Sequence, residues 1–308
     1  MHVARAEDWI VILAVMGSVA ALYIAAAFIL LRPFIVPEKI RPKLGATGVL
    51  VLILTGFSFA CIAYAYFVEP YWLEVTHVKI GLANFPADHA PIKIVQVSDM
   101  HCDKVKRLED RVVREIEKEK PAIILFSGDA MNSLEGQSNF NEFAAKIAKI
   151  APTFAVKGDW DFAFHPVNVL EESKLEILSG HKVVNVDGVN ICIAGADSGA
   201  SCQSVLESAP KNMPTIVMYH NPDADIIMDK QTDNVDLYVC GHTHGGQIAL
   251  PFYGALITQS KQGKKYDAGL HKLGNTYIYT NRGIGMEGHF PRLRFCSRPE
   301  LTVFELSH

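Results

Sequence analysis

Residues 92–101 read IKIVQVSDMH, an apolar run that ends in an aspartate and a histidine two positions apart. Four further apolar runs also end in polar residues: AIILFSGD (122–129), TFAVKGD (153–159), TIVMYH (215–220) and VDLYVCGHTH (235–244). Short apolar runs bounded by glycine and polar residues favour buried strands. These stretches decide the fold, because strands that end in this way place polar groups along one edge of a sheet.

Amphipathic helices are predicted between the first strands. Residues 108–120 place Val112, Val113 and Ile116 on one stripe, and residues 140–150 form a second helix. Further strands are predicted at 189–194, 276–280 and 301–306. The β-α-β-α-β order of the first half implies parallel strands with right-handed crossovers. The second half is richer in strands, so we expect two sheets packed together with helices outside.

Ligands in open α/β sheets bind beyond the carboxyl ends of the strands. The residues expected to meet there are Asp99, His101, Asp129, Asp159, His220, His242 and His244. The D-x-H and H-x-H spacings would put both members of a pair on one side of an extended segment. Glycines before Asp129, Asp159 and His242 would allow sharp turns. A single Gly-Asp pair carries little information, whereas the whole ordered set predicts a metal site. Mixed carboxylate and imidazole ligands suit Mn, Fe, Zn or Co, with Mg less favoured.

The ordered motifs D-x-H, G-D, G-D-W-D, H and G-H-T-H over residues 92–247 resemble the calcineurin-like metallophosphoesterase superfamily, whose third motif is usually G-N-H-D or G-N-H-E. The resemblance implies a four-layer α/β/β/α sandwich and a hydrolase that acts on P–O bonds with two divalent metal ions, of which Mn is favoured. It implies one ion held by Asp99, His101 and His244, and a second held by Asp159, His220 and His242. Asp129 would bridge them and act catalytically, since ions about 3.5–4 Å apart can share a hydroxide nucleophile and clamp phosphoryl oxygens.

Residues 158–161 read GDWD and depart from the family pattern. Asp159 replaces an amide ligand, which should tighten metal binding but reduce Lewis acidity. Trp160 replaces a histidine and cannot act as an acid at neutral pH, although its ring can contact the substrate, for example a uridine base. Asp161 is expected behind the metal ligands. One interpretation is a preference for pyrophosphates or other acidic leaving groups, since the second pKa of phosphate is near 6. The other is a non-catalytic phosphate-binding module with a degenerate site.

Other residues near the C-terminus can contact the substrate. His289 is the favoured substitute acid, ahead of His165 and His181, and the alternative for each is a surface or turn histidine. Arg282 and Arg294 are candidate phosphate clamps, because a guanidinium binds phosphate bidentately; ordinary surface arginines are the alternative. The aromatic pair Phe252 and Tyr253 is either a core strand or a lip that guides a lipid tail.

Two N-terminal segments, residues 9–31 and 45–67, contain no charged residue. Each is long enough to cross a bilayer as a helix, and two spanning helices are favoured over a signal peptide followed by a core helix. The predicted organisation is therefore a transmembrane hairpin over residues 1–68 and a metallophosphoesterase domain over residues 69–308.

The loop between these helices holds four basic residues against one acid: Arg32, Lys39, Arg41 and Lys43 against Glu38. The positive-inside rule then places the loop in the cytoplasm of a bacterial-type inner membrane, with the domain outside. A UDP-linked substrate would instead require a cytoplasmic domain.

The stretch GHTHGGQIALPFYGALI, with Asn281-Arg282-Gly283 and Arg298-Pro299-Glu300, resembles the membrane-anchored branch of the superfamily. That branch includes phosphodiesterases and UDP-2,3-diacylglucosamine pyrophosphatases, which implies a membrane lipid or lipid-linked nucleotide as substrate. A periplasmic lipid phosphodiesterase, or one of broad specificity, is the alternative. The net charge of −4 provides no basic surface for nucleic acid. Six cysteines without C-x-x-C spacing favour reduced, mostly buried thiols over a disulfide framework.

Overall fold

The computed structural model describes residues 6–164, 168–288 and 291–308. The α-helices are α1 (Ala6–Ile35), α2 (Ala46–Phe67), α3 (Glu109–Glu119), α4 (Gln137–Ile147), α5 (Asp159–Ala163), α6 (Cys202–Glu207) and α7 (Asp225–Met228). The strands are β1 (Glu74–Gly81), β2 (Ile92–Val97), β3 (Ile123–Phe126), β4 (Thr153–Ala155), β5 (Glu176–Ile177), β6 (Gly180–Val186), β7 (Val189–Gly195), β8 (Thr215–Met218), β9 (Leu237–Cys240), β10 (Ala249–Leu250), β11 (Gly254–Ala255), β12 (Gly269–Leu273), β13 (Thr276–Thr280) and β14 (Glu300–Ser307). Most predicted elements are present with ends shifted by a few residues; the helix expected at 140–150, for example, is Gln137–Ile147.

Two six-stranded sheets form the domain. Their strand orders are β1-β14-β2-β3-β4-β5 and β12-β13-β9-β8-β7-β6. The central strands β2, β3 and β4 of the first sheet are parallel, as are β7, β8, β9 and β13 of the second. Because parallel strands point the same way, the polar residues that follow β2, β3 and β4 lie at one end of the first sheet, and those that follow β8 and β9 lie at one end of the second. The two ends adjoin, since the His242 amide is 3.0 Å from Asp99 Oδ1.

The core has three apolar layers. Between the sheets, side chains such as Ile94, Leu125, Ile193 and Met218 are fully buried against one another. On the outer face of the first sheet, residues of α3 and α4 are packed, including Val112, Ile116, Phe140 and Phe143. On the outer face of the second sheet lie α6 and α7, with Cys202, Ile226 and Ile227. The predicted α/β/β/α sandwich is therefore confirmed.

Three longer strands were not predicted: β1, β6 and β12. Each is an edge strand of its sheet. Each contains exposed residues, and in β6 one of these is the apolar Val183. Edge strands lack the continuous apolar run that marks a strand buried on both faces, so the sequence signal is weak there.

Helices α1 and α2 pack against each other, and nearly all of their described residues are exposed or only partly buried. Both are long and apolar enough to cross a membrane. The start of α1 and the segment after α2 are hydrogen-bonded to the domain. The Asp8 carboxylate accepts a hydrogen bond of 3.0 Å from the Tyr253 hydroxyl. The Glu69 carboxylate accepts bonds of 3.0 and 2.5 Å from the amides of Cys296 and Ser297. The start of α1 and the end of α2 therefore lie on the side of the hairpin where the domain is.

The six cysteines are free, and Cys102, Cys192, Cys202 and Cys240 are buried. These four thiols are small apolar groups in the core, as predicted from their spacing.

Candidate dinuclear metal centre

The predicted site residues lie in tight turns after the strands. Several have a left-handed backbone: Asp99 (φ 50°), His101 (φ 40°), Asp129 (φ 60°), His242 (φ 71°) and His244 (φ 52°). The expectation that the D-x-H and H-x-H pairs lie on extended segments was wrong. A left-handed residue other than glycine costs about 1–2 kcal/mol, and such strain is concentrated where function requires a side chain in one position.

One cluster consists of Asp99, His101 and His244. Their ligand atoms lie within 4.8 Å of one another and all three side chains are buried. The Nε2 atoms of His101 and His244 are 3.2 Å apart, and His244 Nε2 is 3.5 Å from Asp99 Oδ1. The three groups converge on one point at the end of β2 and β9.

A second cluster consists of Asp129, His220 and His242, with their ligand atoms again within 4.8 Å of one another. His220 Nε2 lies 3.2 Å from Asp129 Oδ2 and 3.2 Å from His242 Nδ1. Asp159 is at the open side of this cluster: its Oδ2 is 3.5 Å from His242 Nδ1 and its side chain is 49% exposed. The hydroxyl of Ser198 bonds to the other oxygen of Asp159.

Asp129 lies between the clusters. Its Oδ2 is 3.2 Å from His220 Nε2 and 3.6 Å from His101 Nε2, and its Oδ1 accepts a 2.9 Å hydrogen bond from the backbone amide of Trp160. One oxygen of a single carboxylate thus faces an imidazole of each cluster, which is the arrangement a bridging ligand requires.

The donor set fits two divalent cations. Burial lowers the pKa of His101 to about 4 and that of His244 well below its usual value, so both imidazoles are neutral at pH 7, the form that binds metal. Burial, with the charge of Asp129, raises the pKa of Asp99 to about 7. Burial also opposes ionisation of Asp129, but the charge and hydrogen bond of His220 hold its pKa below the ordinary range. Burial opposes protonation of His220, but the charge and hydrogen bond of Asp129 raise its pKa well above the usual value, so a cation at the second cluster would displace that proton. Buried carboxylates and imidazoles are chemically suited to transition-metal cations.

Asp161 positions the loops rather than facing the clusters. Its buried carboxylate accepts hydrogen bonds of 2.9, 2.9 and 2.8 Å from the amides of Asp129, Ala130 and Gly158. It therefore joins the turn after β3 to the turn after β4.

The glycines act in two different ways. Gly128 has φ +95° and makes the predicted sharp turn, whereas Gly158 has an ordinary φ of −91°. At Gly158 the requirement is space, because a Cβ would lie 2.7 Å from both the Asp129 amide and His220 Nδ1. The close approach of the β4 loop to the clusters depends on that missing side chain.

The two arginines differ from the expectation of free phosphate clamps. Arg282 is paired with Glu74 at 2.9 Å and Glu300 at 3.1 Å. Arg294 is completely buried and donates to the carbonyls of Gly285 and Ser297 among others, with Nη2 3.2 Å from His244 Nδ1. Both guanidinium groups therefore organise the protein around the site.

Of the three candidates for a substitute acid, His181 is the one that lies in the part of the chain that the structure describes. His289 and His165 lie outside the described residues. His181 is in the edge strand β6, where it lies 3.4 Å from the Ser208 hydroxyl, and it is a member of neither cluster.

Sequence reasoning missed Glu287 and Gln259. The Glu287 carboxylate accepts a 2.6 Å hydrogen bond from Gln259 Nε2 and one from the Trp160 side chain, and burial raises its pKa. The carbonyl of Gln259 is 3.2 Å from His242 Nε2. Neither residue is part of a motif, so only their position in the fold reveals them.

A two-sheet sandwich that gathers histidines and carboxylates into adjoining buried clusters defines a metal-dependent hydrolase of phosphoester bonds. The chain belongs to the calcineurin-like phosphoesterase family, whose model matches residues 92–246.

Three relatives illustrate the family. The uncharacterized metallophosphoesterase YkuE of Bacillus subtilis is 34% identical over 259 residues, covering 79% of this chain and 88% of that protein. The phosphodiesterase YaeI of Escherichia coli is 31% identical over 283 residues, covering 86% and 98%. The UDP-2,3-diacylglucosamine pyrophosphatase LpxG of Chlamydia trachomatis is 24% identical over 326 residues, covering 85% and 97%.

Proposed function

We propose that the chain is a membrane-anchored phosphoesterase that uses two divalent metal ions, with Mn favoured, to hydrolyse a P–O bond in a lipid-linked phosphodiester or pyrophosphate such as UDP-2,3-diacylglucosamine. The observation that carries the proposal is the position of Asp129, whose Oδ2 lies within 3.6 Å of an imidazole nitrogen of each cluster. The substrate named on LpxG supports the lipid-linked nucleotide.

In this proposal each cluster would hold one ion. Asp99, His101 and His244 would hold the first, and His220, His242 and Asp159 the second, with Asp129 shared between them. Ions bound there would supply an activated water nucleophile and neutralise charge on the phosphoryl oxygens. Asp161 keeps Asp129 in place through the amide bonds described above, so it is a positioning residue.

Trp160 supports a preference for acidic leaving groups. Its indole nitrogen can only donate a hydrogen bond, and Glu287 already accepts one from this side chain. A leaving group at this position receives no proton from Trp160. A phosphate leaving group, with its second pKa near 6, needs little protonation, whereas an alkoxide needs a strong acid.

The N-terminal hairpin supports action on a membrane-embedded substrate. Its two apolar helices are long enough to span a bilayer, and they are bonded to the domain through Asp8 and Glu69. Such an anchor keeps the metal centre close to lipid headgroups.

A second candidate is a periplasmic lipid phosphodiesterase. The basic loop at residues 32–43 favours a domain on the outer side of the membrane, where UDP-linked lipids are not made. The phosphodiesterase named in Escherichia coli is consistent with this alternative.

Product analysis by mass spectrometry tests the substrate. Full-length protein in detergent is incubated with manganese and UDP-2,3-diacylglucosamine, beside His242→Ala and the matched control His181→Ala. We expect UMP from the wild type and His181→Ala but not from His242→Ala. Hydrolysis of an aryl phosphodiester without UMP release would overturn this substrate and favour the periplasmic lipid phosphodiesterase. Failure to hydrolyse either compound with metal bound would favour a phosphate-binding module.

A further inference from the structure

A cavity of about 420 Å³ lies between the first turns of α1 and the metal centre. Its wall on the helix side is formed by Ile12 and Met16, and its wall on the domain side by Ile248, Leu256 and Ile257, while His244 of the first cluster is at its inner end. This volume is within the range of small-molecule sites. We name it the α1 groove.

We propose that the α1 groove binds one acyl chain of a membrane lipid whose phosphoryl group lies at the metal centre. The inference rests on the proposed function and deepens it, because it identifies where the lipid part of the substrate is recognised. The occupant is one hydrocarbon chain, held between the hairpin and the domain.

The packing of α1 on α2 explains how a groove beside a membrane helix can reach the metal centre. A Cβ at Gly48 of α2 would lie 3.7 Å from the Ile29 side chain of α1. In this antiparallel pair Ile12 therefore lies at about the level of Ala65, near the end of α2. The Ala65 carbonyl accepts a 3.1 Å hydrogen bond from the Arg294 amide, so the hairpin contacts the domain at this level.

Contacts at the start of α1 hold this helix against the domain. The Asp8 carboxylate bonds to the Tyr253 hydroxyl at 3.0 Å and is 3.7 Å from Lys264 Nζ. Asp8 is buried despite its charge. Asp8 lies about one helical turn from Ile12. Its contacts with Tyr253 and Lys264 therefore hold the helix side of the groove in place.

The α1 groove is apolar on one side and polar near the metal centre. The two α1 residues and the three aliphatic residues opposite them provide an apolar wall. The polar lining residues Gln259 and Glu287 lie near the metal centre with His244, because the Gln259 carbonyl is 3.2 Å from His242 Nε2 and Gln259 Nε2 bonds to Glu287. Among the described residues that form it, Glu287 is the one carboxylate. A lipid has the matching order, with a hydrocarbon chain joined to a polar phosphoryl group. A fully water-soluble phosphoester would leave the aliphatic wall without a partner.

An apolar lip lies beside the groove. Phe252 is fully exposed at the turn between β10 and β11, next to the Tyr253 that bonds to Asp8. Met16 is also mostly exposed, at 64%. Exposed apolar groups next to one another mark a surface that meets a membrane or an apolar ligand. A chain can therefore pass from the bilayer along α1 without crossing water.

Photo-cross-linking tests occupancy without requiring turnover. The probe is phosphatidic acid with a diazirine at the end of a palmitoyl chain, in nanodiscs of phosphatidylethanolamine and phosphatidylglycerol that contain the full-length protein. We expect adducts on Leu256 or Ile257. Ile12→Trp, which fills the groove, should reduce these adducts at least about fivefold relative to Leu13→Trp, a matched change on the same helix outside the groove. Adducts confined to α1 and α2, or equal yields in both variants, would overturn the proposal.

A kinetic ratio separates this inference from the proposed function. For each variant, kcat/KM for UDP-2,3-diacylglucosamine is divided by kcat/KM for bis(p-nitrophenyl) phosphate. Ile12→Trp should lower the ratio about tenfold, and Leu13→Trp should leave it near the wild-type value. An unchanged ratio in Ile12→Trp contradicts the groove while the phosphoesterase stands. If the wild type hydrolyses neither compound, the proposed function fails, and cross-linking alone decides the groove.

Discussion

The indole ring of Trp160 stands edge-on to the imidazole of His101, with ring centroids 5.6 Å apart and planes at 89°. An aromatic group whose only polar hydrogen is a non-acidic N–H thus covers one side of the first cluster. The family pattern G-N-H-D would place a histidine at this position, so the change to histidine tests the role proposed for Trp160.

Trp160→His should make the enzyme less dependent on the acidity of the leaving group. A positioned general acid contributes about 10²–10⁴-fold to rate, so hydrolysis of an alkyl phosphodiester should rise by at least about tenfold, with little change for an aryl diester. The measurement is the rate against leaving-group pKa for a series of diesters. Trp160→Phe is the control and should retain the steep wild-type dependence. Parallel slopes for the wild type and Trp160→His would contradict the assigned role.

Asp159→Asn should weaken binding of the second ion and increase turnover when metal is saturating. The Asp159 carboxylate, 3.5 Å from His242 Nδ1, adds negative charge that holds the cation but reduces its Lewis acidity. We expect Kd to rise about tenfold, equivalent to about 1.4 kcal/mol. Metal titration by calorimetry and kcat at saturation measure the two effects. Tighter binding in the variant would show that Asp159 does not act as a ligand.

Arg282→Gln should reduce stability far more than it affects KM. Glu300 is buried, and although burial opposes its ionisation, Arg282 lowers its pKa. Removing one partner of a buried ion pair costs about 3–5 kcal/mol. Urea unfolding measures the loss, with the exposed Arg114→Gln as control. A large rise in KM with unchanged stability would instead support a phosphate clamp.

The same variant has a defined pH dependence. The pKa of Glu300 is lower in the folded protein than in the unfolded protein, so its ionised form stabilises the wild type. This stabilisation is present above the unfolded pKa of about 4.3 and is lost as the pH falls through the lower folded value. Without Arg282, burial raises the pKa of Glu300, so the variant gains stability on protonation. The difference between wild type and Arg282→Gln should therefore be largest near neutral pH and shrink as the pH is lowered.

Glu69→Ala should disturb the first metal cluster from the side of the N-terminal hairpin. Glu69 accepts bonds from the amides of Cys296 and Ser297, and the Ser297 hydroxyl bonds to the carbonyl of His244 at 2.5 Å. Each unsatisfied buried amide costs about 1–3 kcal/mol. We expect a lower Tm and weaker binding of one ion, with Glu69→Gln intermediate because it retains one acceptor oxygen. Unchanged metal content and Tm would show that the hairpin and the centre are independent.

The central strands, and the residues that the structure gathers into the two clusters, were predictable because their signals are local. Runs such as AIILF are buried on both faces of a sheet, and each is followed at once by polar groups. The family resemblance then divided His242 and His244 between two clusters, and the structure places these two histidines in different clusters. The alternation rule for extended chain failed here, because both residues have a left-handed backbone that no composition pattern reveals.

Long-range partners were not predictable. Nothing local distinguishes Arg294, which is fully buried, from an arginine that binds phosphate at the surface. Glu287 and Gln259 likewise reach the centre only through loops that follow the motifs. These assignments depend on tertiary packing, which removes water from a charged group and supplies it with carbonyl or carboxylate partners.

The most direct test of the dinuclear site is hydrolysis of bis(p-nitrophenyl) phosphate by metal-free full-length protein titrated with manganese, in parallel with Asp129→Asn. We expect wild-type activity to rise until about two ions are bound per chain, and Asp129→Asn to be inactive at every metal concentration. Activity that is complete with one ion, or that persists in Asp129→Asn, would contradict a centre in which Asp129 is shared by two metal ions.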